Sequence, residues 1–132
     1  MHSCIFCQII SRKASAFIVY EDDDHLAFLD AYPQSRGHLQ LIPKIHYQWV
    51  YDIRDMGSFF SVAGRIIRAI IPALGADHVT IATFGRHVAH AHLWIVPQYR
   101  NDQKIEEESG RQTNKGSLQK IAEIIRNALK GA

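Results

Sequence analysis

With 132 residues and 47% apolar content, the chain is long enough to bury one substantial core and too short for two, so a single domain over residues 1–132 is expected. Its 15 basic and 13 acidic residues leave a formal charge of +2 with no basic run, which argues against a nucleic-acid partner. Residues 1–20 show no basic start followed by an apolar stretch, and no apolar run reaches the roughly 18 residues that span a bilayer, so a soluble, cytoplasmic protein without membrane contact is expected.

The only cysteines, Cys4 and Cys7, form one Cys-x-x-Cys, which in a reducing compartment reads as a metal or redox pair more readily than as a structural disulfide. Residues 5–10 around them read as one or two helical turns. Residues 17–20 and 26–29 read as strands joined by the acidic turn Glu21-Asp22-Asp23-Asp24, which looks solvated, and a third strand over 38–42 is bounded by Gly37 and Pro43. Residues 52–74 are the clearest helix. There Met56, Phe59, Phe60, Ala63, Ile67, Ile70, Ile71 and Leu74 recur at three- and four-residue steps, Asp52 offers an N-cap, and Pro72 with Gly75 ends the run.

Two more strands are expected over 78–84 and 89–96. The polar stretch 99–116 reads as a mobile loop, and 117–130 as a closing amphipathic helix capped by Ser117 and burying Leu118, Ile121, Ile125 and Leu129. Together these elements predict an α+β domain: a mainly antiparallel sheet of about five strands packed with one long helix, plus short N-terminal and C-terminal helices.

The stretch from Gly85 to Pro97 carries the chemistry. In its alternating part His90, His92 and Trp94 fall on one face of a strand, and Ala91, Leu93 and Ile95 on the other. A face with two imidazoles can hold a nucleophile, a metal, or both.

Five ordered blocks carry a resemblance: Cys4-Ile5-Phe6-Cys7-Gln8-Ile9-Ile10, Val19-Tyr20-Glu21-Asp22, Ala27-Phe28-Leu29-Asp30, the GHLQLIPKIH run from Gly37 to His46, and the histidine strand. In this order they resemble the histidine triad (HIT) superfamily over most of residues 4–97. The resemblance implies that His92 attacks the α-phosphorus of a nucleoside phosphoramidate or dinucleoside polyphosphate. A nucleotidyl-histidine intermediate then passes to water or another acceptor. A neutral imidazole suits this role, provided that its second nitrogen is held by an acceptor, in this family a backbone carbonyl.

The same resemblance implies further roles. Asp30 would accept the ribose hydroxyls, with Phe28 beside it on a strip that could sandwich a base and His38 near the phosphate. Asp30 as a turn cap is the alternative. Cys4, Cys7, His46 and His90 would hold a structural zinc in a closed Cys₂His₂ shell. A purine nucleotide ligand and a homodimer are implied as well.

Two positions depart from the family pattern. Trp94 stands where the third histidine belongs, and an indole offers one donor, no acceptor and no titration. His87 stands where a hydroxyl usually meets the phosphate, so it is either a substitute donor or general acid, or an ordinary loop histidine. A non-catalytic nucleotide-binding or adaptor module with a degraded triad is therefore the rival reading. A metal-dependent hydrolase ranks lower, because the first carboxylate after His92 is Asp102. A thiol oxidoreductase ranks lower still, because Cys4 does not follow a strand in a βαβ unit.

Overall fold

Side-chain alternation along the central strands decides how the layers assemble. The computed structural model describes residues 4–100 and 115–131. Its sheet is antiparallel, with strands β1 (Ile18–Glu21), β2 (His25–Leu29), β3 (Leu39–Pro43), β4 (His78–Ala82) and β5 (Leu93–Gln98) in the order β1-β2-β3-β5-β4. Three helices accompany it: α1 (Ile5–Ile10), α2 (Met56–Leu74) and α3 (Lys115–Lys130). The expected α+β architecture is the one observed.

Ala27, Leu29, Leu39, Leu41, Leu93 and Ile95 point to one face. There they bury against Phe59, Ala63, Ile66 and Ile70 of α2 and Leu118, Ala122, Ile125 and Leu129 of α3. Leu26, Phe28 and Ile42 point to the other face, which Phe6 and Ile9 of α1 cover. Each such aliphatic or aromatic side chain stabilises the fold by about 1.5–3 kcal/mol on full burial. Cross-strand register then puts Gln40 between Phe28 and Trp94, a polar side chain flanked by two aromatics on this second face.

Several boundaries differ from the sequence reading. Helix α2 starts at Met56, with Asp55 and not Asp52 as N-cap; its carboxylate accepts the Ser58 N–H at 3.0 Å. Asp52 instead lies in a 3₁₀ turn, Val50–Asp52, formed because Val50 and Ile53 both bury in the core. The buried stripe of α2 runs through Phe59, Ala63, Ile66, Ile70 and Leu74, whereas Phe60 is exposed and Ile67 half-buried. That helix is apolar over so much of its circumference that periodicity alone could not fix which side faces the sheet. By length and composition α2 could cross a bilayer, contrary to the reading that no run is apolar enough, but its stripe packs on the sheet as that of a core helix.

Gly75 ends α2 in the left-handed region at φ 70°, as a C-cap glycine should. Helix α3 already begins at Lys115, so Ser117 sits within its first turn and is not the cap; Ala122 takes the buried place assigned to Ile121. Most of the expected 99–116 loop lies outside the described residues.

The acidic turn is more ordered than a solvated run. Asp22 accepts hydrogen bonds from the Asp24 and His25 N–H groups at 2.8 and 2.7 Å and from the Tyr20 hydroxyl at 2.7 Å. Burial opposes ionisation of this carboxyl, but the bonds from Tyr20, Asp24 and His25 outweigh it and hold the pKa at about 2, below the usual 3.8. A depressed folded pKa means stability that is present above about pH 4 and is lost as pH falls towards 2. The Asp22 side chain is 35% exposed, so solvent screening reduces the contribution to about 1–2 kcal/mol. Asp22→Asn is therefore expected to lower unfolding stability by that amount at pH 7 and much less at pH 2, as read from urea melts at the two pH values.

Candidate active site and metal centre

Helix α1 brings Cys4 and Cys7 to one side, because residues three apart share a helical face. Cys4 is its N-cap, with Sγ accepting the Cys7 N–H at 3.3 Å. His46 follows β3, and His90 precedes β5. The Cys4 Sγ lies 3.4 Å from His90 Nδ1, the Cys7 Sγ lies 3.2 Å from His46 Nδ1 and 3.5 Å from His90 Nδ1, and the two Nδ1 atoms are 3.1 Å apart. All four donor atoms fall within 4.8 Å of one another. A tetrahedral shell with metal–sulfur bonds near 2.3 Å and metal–nitrogen bonds near 2.05 Å has edges of roughly 3.3–3.8 Å, so this group can hold a metal ion.

The tautomer of His90 fits such a role. Its Nε2–H donates to the Pro43 carbonyl at 2.9 Å, which leaves the Nδ1 lone pair facing the thiols. Burial, against the pull of that hydrogen bond, pushes its pKa down to about 4, so the ring is neutral. Burial and then the Cys4 neighbour push the Cys7 thiol up to about 11.

His90 also joins this centre to His92. The Nδ1–H of His92 donates to the His90 carbonyl at 2.8 Å, so Nε2 keeps its lone pair. Burial keeps the His92 pKa below the usual histidine value. His92 lines a cavity of about 360 Å³ together with Phe6, Gln40, Phe84, His87, Val88 and Trp94. A neutral imidazole with one free nitrogen at a cavity wall is competent as a nucleophile.

Regular β5 pairing starts only at Leu93, four residues later than the expected strand, yet the predicted facing holds. Ala91, Leu93 and Ile95 are in the main core, while His92 and Trp94 meet the cavity. The ladder stops because other groups satisfy this backbone. The Tyr47 carbonyl accepts the Ala91 N–H, the His92 side chain takes the His90 carbonyl, and the Thr83 hydroxyl donates to the His92 carbonyl.

The nucleotide-contact candidates are dispersed around this cavity. Asp30 is half-buried; Oδ1 accepts the Tyr32 N–H at 2.8 Å, the turn-capping role, and Oδ2 accepts from Gln40 Nε2 at 3.0 Å. Phe28 does not line the cavity and stands behind Phe6, with ring centroids 5.3 Å apart. His38 is buried beside Trp94, whose ring centroid is 4.6 Å away, and the residue borders a separate cavity of about 500 Å³ with Arg36, Ser117 and Lys120. Burial outweighs the nearby Asp30 carboxylate and drops the His38 pKa to about 4. Trp94 fills the gap between His38 and Phe84, the latter 4.9 Å away edge-on.

His87 lies exposed on the loop after β4, at the cavity mouth. That loop is braced at Gly85, whose carbonyl accepts from Gln48 Nε2 at 3.2 Å and where a Cβ would fall inside the Trp49 ring. Gly85→Ala is expected to push the Phe84–His87 loop off Trp49 and weaken ligand binding by about ten-fold, with a smaller effect on unfolding. Nucleotide titration beside a thermal melt checks this.

Sequence reading did not single out Phe6, Gln40, Phe84 or Val88. A signal existed for Gln40, a polar residue sharing a strand face with His38. None existed for Phe6, which reaches the cavity only because α1 folds over the sheet.

A HIT domain family model matches residues 11–101. Among solved structures, the fold is similar to a hypothetical histidine triad nucleotide-binding protein of Sulfolobus tokodaii, with a TM-score of 0.86, 28% identity, and coverage of 97% of this chain and 93% of that one. It is also similar to a zinc-bound histidine triad family protein of Mycobacterium smegmatis, with a TM-score of 0.81, 34% identity, and coverage of 98% and 94%. An adenylylsulfatase of Arabidopsis thaliana is 32% identical over 108 residues, which are 76% of this chain and 55% of that protein. With the matched domain spanning most of the chain, and with the histidine strand and the Cys/His cluster laid out as described, this protein belongs to the histidine triad family, as a His-x-His-x-Trp variant.

Proposed function

We propose that this protein is a nucleotide hydrolase or nucleotidyl transferase acting at the α-phosphate of a purine nucleoside phosphoramidate, dinucleoside polyphosphate or related adenylyl compound. His92 is the nucleophile, and the observation that carries the reading is its Nδ1–H held by the His90 carbonyl with Nε2 free at the cavity wall. In the proposed step Nε2 bonds to the α-phosphorus as the leaving-group bond breaks, and water or another acceptor then displaces the histidine. His87 supplies a proton or hydrogen bond to the leaving group, and Asp30 receives the ribose hydroxyls through its remaining lone pairs. Cys4, Cys7, His46 and His90 hold zinc, which supplies a closed structural shell and no open coordination position. The proposal includes a homodimer, for which β4 is an edge strand with Ile81 exposed.

The test is AMP release from adenosine 5′-phosphoramidate, diadenosine tetraphosphate and adenylyl sulfate. Release from any of them supports the reading. AMP binding with no release from all three supports instead the nucleotide-binding module, which the Trp94 ring packed between His38 and Phe84 favours. If that ring only blocks a third histidine position, Trp94→His is expected to raise turnover by about ten-fold or more. Unchanged or lower turnover would show that the indole has a role of its own.

A further inference from the structure

We infer that residues 46–49 act as a strap that ties occupancy of the metal centre to the placement of the active-site residues, so that the metal positions the nucleophile as well as stapling the fold. Four consecutive residues hold three parts of the site. His46 Nδ1 belongs to the Cys/His cluster, 3.1 Å from His90 Nδ1. The Tyr47 carbonyl accepts the Ala91 N–H at 2.6 Å, which fixes the backbone between His90 and His92. Gln48 Nε2 donates to the Gly85 carbonyl, and the Trp49 ring occupies the space above Gly85, which fixes the loop that carries Phe84 and His87.

The strap itself has no regular structure. Residues 44–49 are neither helix nor strand, and besides the contacts above they are held by the Lys44 N–H on the Asp24 carbonyl at 2.8 Å and by Tyr47 packed against the main core. Its path therefore depends on these contacts and not on a ladder of backbone bonds. The His90 end is fixed in the same way. The His90 ring joins the cluster through Nδ1 and the Pro43 carbonyl through Nε2, while its own carbonyl selects the His92 tautomer. An ion held between His46 and His90 would thus set two backbones at once, one leading to His92 and the other, through Gln48 and Trp49, to His87. In this arrangement His46, Gln48 and Trp49 are positioning residues.

The experiment uses the full chain labelled with nitrogen-15, with zinc alone as the probe at fixed pH. Zinc added to stripped protein is expected to shift the Gly85 and Ala91 amide signals and to convert the His92 ring from mixed tautomers to the Nδ1–H form. The amides of Ile66 and Ile125 in the core stay in place. Trp49→Ala, loaded with zinc, is expected to retain the metal yet lose the Gly85 shift and about ten-fold in AMP affinity. Zinc effects confined to residues 4–10, 46 and 90 would overturn the inference, as would a chain that takes up no zinc. If the stripped chain unfolds, the loaded Trp49→Ala variant decides alone, and unchanged Gly85 and His92 signals overturn it. Only the AMP measurement rests on the proposed function. Coupled shifts in a chain that binds no AMP would sink the nucleotide reading and leave the strap standing.

Discussion

A His92→Asn variant is expected to release AMP at least about a thousand-fold more slowly than the unaltered chain, while binding AMP within a few-fold and unfolding at nearly the same temperature. The substitution separates two functions of one ring. The asparagine amide can still donate to the His90 carbonyl that now accepts the His92 Nδ1–H, so the local backbone bond survives. What disappears is the second nitrogen with its lone pair at the cavity wall, and with it any covalent route. Residual release would measure what the rest of the cavity contributes by orienting water and phosphate. A labelled nucleotidyl-protein adduct, trapped under alkaline conditions in which phosphohistidine survives, should form with the unaltered chain and be missing from the variant. Equal rates in the two proteins would move the chemistry away from His92, with His87 next in line because it lines the same cavity.

The fold was legible wherever a residue pattern had one physical solution. Alternation fixed which side of β5 faces the core, and Gly37, Pro43 and Gly75 punctuated elements within two residues of their observed ends. Legibility failed where tertiary contacts outvote local preference. The sequence reading placed the cap at Asp52, and burial of Val50 and Ile53 moves it to Asp55. Ala89 to His92 reads as strand, but a side chain and a neighbouring loop occupy its backbone groups. The site divides in the same way. Cys4 with Cys7, His46 and His90 come from three separated places in the chain and converge in space. The shared wall of His92 and Trp94 was read from alternation, whereas the separation of His38 from His92 needed the bulk of an indole, whose orientation no spacing rule supplies.

If Cys4, Cys7, His46 and His90 hold zinc as proposed, stripping it should lower the unfolding temperature by about 10 °C without abolishing folding. None of the four ligands belongs to the main core between the sheet, α2 and α3, so that core keeps its driving force when the ion leaves. What an ion at these ligands would join is peripheral. Six residues of α1 are too few to be helical alone, and apart from the cysteines they are held by Phe6 and Ile9 on the second face of the sheet. Zinc at about a thousand times its dissociation constant adds roughly 4 kcal/mol to the folded state. At about 3 °C per kcal/mol for a domain of this size, that is the expected shift. Its pH dependence has a definite sign. Free thiols carry their protons at pH 7, and burial pushes Cys7 further that way, so binding expels protons and the zinc-dependent stability shrinks as pH is lowered. Calorimetric scans with and without chelator at pH 7.5 and 6 check both statements, with Cys7→Ser as the control in which chelator should change little. A melt that ignores chelator at both pH values would remove the ion from the fold, and with it the reason for Cys4 and Cys7 to lie beside His46 and His90.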